Sequence, residues 1–152
     1  MLTLIATALL TTASAQDPPL DRPPLPSPGI ATEGGPGLLW VNAANSAFDP
    51  DPRGALWVSR DHSSDHTWIA AAGGVGGLNL GVFNEVDPSG PNRWALVGGG
   101  AVRLPKRLAL GLVFNWNLLD GTKNYVSTDV SMAWRPLPWL GFGAVVWNLG
   151  AP

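Results

Sequence analysis

The sequence predicts an all-β fold, an antiparallel up-and-down meander of about eight strands. Three observations predict it. Long segments alternate large apolar residues with small or polar ones, hairpins recur at a spacing of about 31 residues, and no helical period follows residue 37.

The alternation is cleanest in "RLALGLVFNWNL", residues 107–118. Leu108, Leu110, Leu112, Phe114, Trp116 and Leu118 share one parity; Ala109, Gly111, Val113, Asn115 and Asn117 share the other. A period of two makes a strand with two unlike faces.

In chain order, residues 2–10 form an apolar run too short to span a bilayer, and Ala13-Ser14-Ala15 supplies a small-x-small cleavage site. Residues 1–15 therefore read as a signal peptide cleaved after Ala15, although no Lys or Arg precedes the run. Residues 16–37 hold seven prolines and little apolar surface, which makes them a Pro-rich, extended linker. Residues 38–152 are then the β domain, with strands expected near 38–43, 55–61, 67–73, 76–85, 93–104, 108–118, 125–135 and 139–148. The later strands are about ten residues long, which suits a tilted crossing of a hydrocarbon core.

Other strands repeat the two-faced pattern. Val126, Thr128, Val130, Met132 and Trp134 oppose Tyr125, Ser127, Asp129, Ser131, Ala133 and Arg135. Leu78, Leu80 and Val82 oppose Gly77, Asn79, Gly81, Phe83 and Glu85. In 139–148 both parities are apolar, and Leu140, Phe142, Ala144 and Val146 are taken as the greasy face.

Tight turns are expected at Gly73-Gly74, at 105–107 and at 136–138, and longer polar loops at 61–66, 86–92 and 119–124. Short turns on one side and longer loops on the other are a feature of outer-membrane barrels. Trp94 and Trp116 sit at loop ends with outward parity, and Trp134 and Trp139 flank a short turn, as interfacial aromatic belts require. Only 13% of residues are charged, against roughly 25% in an ordinary soluble domain. A soluble sandwich would put charged, hydrated residues opposite its core. Here that face is glycine, alanine, serine and asparagine. The reading is thus lipid outside and a crowded or wet interior: an outer-membrane β-barrel, with the lipid bilayer as partner.

Function classes narrow accordingly. A net charge of −2 offers no basic footprint for nucleic acid, and the absence of cysteine removes disulfides, thiolate metal sites and an acylated-cysteine anchor. His62 and His66, beside Asp61 and Asp65, would suit a metal on a helix; in an inter-strand loop they form a solvated tip. The 48–54 segment "FDPDPRG" lacks the glycine and terminal glutamate of a calcium loop and reads as a turn. Ser63 and Ser64 form no nucleophile motif, and "GGVGG" at 73–77 precedes no phosphate-binding helix, leaving it a hairpin turn or barrel kink. No catalytic, cofactor-binding or metal residue is expected. Asp129, Glu85 and Arg103 are expected inside, where charges tune a pore, pin a plug or simply hydrogen-bond.

The phrase "VNAANSAF" (41–48) resembles the Asn-Pro-Ala-Asn-x-Ala-Phe phrase of FadL/PorV-like outer-membrane proteins, with alanine at the usual proline position. Residues 103–116 and 132–152 are similar to that group's turn-plus-return-strand units. The resemblance covers roughly 40–152 and implies a barrel that binds or passes hydrophobic solutes, or anchors a partner. The same segment also resembles the region ahead of the protease domain in some signal peptide peptidase A-like chains, which implies a non-catalytic membrane portion of a longer enzyme. A soluble periplasmic β-domain is the third class. The last strand lacks the terminal aromatic that barrels commonly present, so the chain is expected to be a fragment of a longer, roughly fourteen-stranded relative.

Overall fold

A computed structural model describes residues 35, 37–60, 65–88, 90, 92–119 and 124–150. The expected signal peptide, nearly all of the linker, and Asp61, His62, Ser63 and Ser64 lie outside them.

Seven strands form one antiparallel sheet in sequence order: β1 Arg53–Arg60, β2 Thr67–Val75, β3 Leu78–Val86, β4 Arg93–Leu104, β5 Leu108–Leu119, β6 Tyr125–Leu137 and β7 Leu140–Leu149. The meander curls into a half-barrel, and β1 and β7 are not paired with each other. The all-β, up-and-down architecture is as the alternation indicates. Short turns fall at one end and the three longer connections at the other.

The eighth strand, expected near 38–43, is a correction. Leu38–Val41 is a single helical turn, α1, followed by a 3-10 helix at Ala43–Phe48. Asn42 causes the change. Its side-chain Oδ1 accepts from the Ala44 amide at 3.1 Å, capping the second helix locally and diverting the backbone from a sheet ladder. Leu38, Leu39 and Trp40 are then buried against the concave face. The β domain therefore begins with an inner helical segment, and its first strand starts at Arg53.

Two turns also move. The β2–β3 turn is at Gly76-Gly77, with φ of 57° and 93°, and Gly73-Gly74 stay in β2 opposite Gly54 and Arg53. Two successive positive φ values make the primed turn that matches strand twist, and glycine, lacking a Cβ, adopts both without strain. At the third turn β6 runs on through Pro136 to Leu137, with a register shift between Trp134 and Leu137. Proline has no N–H to give the ladder and sits at this irregularity. The 105–107 turn is where the sequence puts it.

Facing follows the expected parity. In β5 the even positions from Leu110 to Leu118 are exposed and the odd positions from Ala109 to Asn117 are buried. Leu78 and Leu80, at 69% and 73% exposure, are on the same convex surface. Val113, on the concave side, is 1% exposed. That interior is crowded rather than wet.

Candidate functional site

Among the described residues, the concave face is where the sheet gathers most of its buried polar side chains and then covers them. Leu39, Trp40 and Ala43 pack on Ala70, Ala72, Phe83, Ala95, Val97 and Val113. Trp40 meets Trp57 edge-to-face, with centroids 5.8 Å apart at 83°. Further along, Ala44 sits on Ala109 and Ala133, with Ala47 and Phe48 at its flank. Small residues at these sheet positions let backbone approach backbone.

A polar lattice fixes the register of this segment. Asn42 Nδ2 donates to the Met132 carbonyl at 3.1 Å, and the Ala44 amide donates to Ser131 Oγ at 3.0 Å. Arg135 donates to Asn45 Oδ1 at 3.1 Å. On the other side, Asn79 Nδ2 donates to Ser46 Oγ at 2.9 Å and to the Gly77 carbonyl at 3.0 Å, and Ser46 Oγ donates to Ala43 O at 2.7 Å. The segment thus reaches from β3 to β6. Phe48 ends it: the guanidinium groups of Arg103 and Arg135 lie 5.4 and 4.6 Å from its ring centroid. Arg53 pairs with Asp49 just beyond.

The three expected interior charges separate. Arg103 holds Phe48, so of the roles open to it the holding of an inner segment is the one seen. Asp129 is buried beneath β7; it accepts from Asn115 Nδ2 at 3.1 Å and from the Asn148 amide at 2.8 Å. Asn148 has a φ of 56° where the β6–β7 register shifts, so Asp129 caps a bulge. Glu85 is at the loop end, 3.6 Å from both His66 Nδ1 and Arg93 Nη1. His66 is half-buried, its Nε2 3.2 Å from Asp87 and its ring 5.7 Å from that of Trp68. It is packed rather than a free tip. Among the described residues no group of three His, Asp or Glu side chains could hold a metal ion.

Outside, the sheet is apolar. Seven charged residues lie in strands, and six of them (Arg53, Glu85, Arg93, Arg103, Asp129, Arg135) take concave parity; Arg60 ends β1 beside the loops. Leu56, Val58, Leu80, Leu96, Leu112, Phe114, Val130 and Val146 are all exposed on the convex side. Two shallow apolar hollows there share Gly73, Leu80, Gly98 and Trp116 as walls. Trp94 and Trp116 lie towards the loop end, and Trp134 and Trp139 towards the turn end, all exposed. No helix among the described residues is long and apolar enough to cross a membrane, which leaves open a crossing by strands.

Sequence reasoning found the two faces but missed Asn42, Asn45, Ser46 and Asn79 as holders of the inner segment. A signal was present, since asparagine before small residues is an N-cap pattern. No family model, curated protein or solved structure matches the chain.

Proposed function

We propose that this chain forms part of the wall of an outer-membrane β-barrel, reaching that membrane through its N-terminal signal, with its convex face against lipid. The observation that carries the reading is the distribution of charge: between the two ends, the outward positions of seven strands bear no charged side chain. In water, so large a contiguous apolar surface would drive association. In a bilayer it is the required surface, and the aromatic residues at both rims fit the two interfaces. The role we infer is anchoring rather than solute passage. Segment 37–48 lies against β3–β6 on the concave side, and one crevice beside it, lined by Leu39, Asn42, Val113 and Trp147, is too tight for a water molecule.

Cell fractionation tests this. The mature chain should sediment with outer membranes and withstand high-salt extraction. Recovery in the soluble periplasmic fraction would overturn the reading in favour of a soluble β-domain.

A further inference from the structure

The two rims of the half-barrel differ in charge. At the loop end the described basic residues are paired: Arg60 with Asp65 at 2.7 Å, and Arg93 with Glu85 at 3.6 Å. At the turn end Arg53 is paired with Asp49, and Arg103 and Arg135 lie over Phe48. Lys106 and Arg107 differ. Both are exposed at the tip of the β4–β5 hairpin, and no carboxylate among the described residues lies within ion-pair distance of either.

Their setting is built. Leu104 pairs with Leu108, so only residues 105–107 cross between strands and the tip cannot fold back. Lys106 and Arg107 have φ of 60° and 59°. Trp134, directly opposite Leu108, donates its indole N–H to the Lys106 carbonyl at 3.2 Å. Its ring also stacks on Phe142, with centroids 5.5 Å apart at 25°. The next turn carries Trp139, 77% exposed. Two cations with no carboxylate partner among the described residues are therefore held just beyond Trp134, beside the hairpin whose turn carries Trp139.

We infer that the 105–107 hairpin, with Trp134 and Trp139, is a docking site for the phosphates of anionic phospholipid headgroups. The inference rests on the membrane reading above. Tryptophan rings settle at headgroup depth. Lysine and arginine placed one step further out meet phosphate, which guanidinium binds in a fork and ammonium as a point charge. A lipid surface bearing net negative charge adds about a fivefold gain in partitioning for each basic residue near it.

The test dilutes the full chain from urea into vesicles of phosphatidylcholine, alone or mixed with phosphatidylglycerol, and measures the bound fraction by flotation. The mixed vesicles should bind roughly twenty-five-fold more tightly at low salt, about fivefold for each of the two cations, and the gain should shrink as salt screens it. K106N/R107N should lose most of that gain while binding phosphatidylcholine as before, because asparagine tolerates the positive φ. The swap K106R/R107K should keep the gain, as should Arg60→Gln at the other rim, and inorganic phosphate should not compete at equal phosphate concentration. A double variant that keeps the full gain, or a wild type that binds both vesicles equally, overturns the inference and leaves the membrane reading standing. Binding to neither vesicle overturns the membrane reading itself. If K106N/R107N also loses phosphatidylcholine binding, the wild-type salt response and the charge-preserving swap decide.

Discussion

The backbone amide of Ala44 donates to the hydroxyl of Ser131 across 3.0 Å, joining residues 87 apart in the chain. The approach depends on Gly111. A Cβ at 111 would stand 2.5 Å from the Ala44 nitrogen and 2.6 Å from Ser131 Oγ. One glycine on the concave face thus sets how closely the inner segment can lie against β5.

Gly111→Val should therefore lift residues 42–48 from the sheet, at about 1–3 kcal/mol of overpacking. Limited proteolysis should cut the variant faster near 38–52, with a lower melting temperature. Gly98→Ala on the convex face meets only the tips of Leu80 and Trp116, at 3.3 and 3.6 Å, and should change neither. Equal protection of both variants would show that the inner segment does not depend on the contact.

Leu112 and Val113 are neighbours with opposite fates. Leu112→Arg puts a charge on the convex face near mid-strand and should cost about 2–4 kcal/mol in a bilayer. Val113→Arg would bury a cation among Leu39, Trp40, Ala43 and Val97. The first variant should fail only in lipid, the second in lipid and detergent alike. Refolding yields in the two media, followed by circular dichroism, separate them. A Leu112→Arg chain that inserts as well as wild type would place that face away from lipid.

How far these faces were legible follows from periodicity. Leu108 to Leu118 alternate without a break, and a one-residue slip would invert the whole strand, so sequence alone specifies the facing. Residues 38–43 carry no such run. A short apolar stretch there is compatible with strand or helix, and the outcome turns on the local cap at Asn42 and on burial against strands up to 90 residues away. "GGVGG" holds two glycine pairs, either able to turn; pairing of Val75 with Leu78 selects the second. The lattice around Asn45, Ser46 and Asn79 is long-range and leaves no periodic trace in the sequence.

Asp129 should prove more than a lumenal charge. Asp129→Ala removes the acceptor for Asn115 Nδ2 and for the Asn148 amide, with a cost of about 1–3 kcal/mol for the donors left behind. Hydrogen exchange should quicken at 145–149 first, where β7 bulges. Asn148→Gly should be milder, since glycine accepts the 56° φ. Uniform loosening of the whole sheet in Asp129→Ala would argue against a local bulge-capping role.

Closure is a matter of strand direction. With seven antiparallel strands, β1 and β7 both run from the turn end to the loop end. Their free edges can meet only as a parallel pair. Two copies with the same orientation across a membrane face the same mismatch, β7 of one against β1 of the other. Antiparallel closure of this sheet takes an odd number of further strands, and an open edge in lipid costs several kcal/mol for each unpaired backbone group. The 152-residue chain, refolded alone in detergent, should thus form its sheet yet show no heat-dependent shift on gels and remain protease-sensitive along β1 and β7. A monodisperse, protease-resistant species with such a shift would require β1 and β7 to pair in parallel or the register to rearrange. Cysteine pairs across Trp57 and Val145, the mid-points of the two edges, would then cross-link, and the half-barrel would have closed on itself.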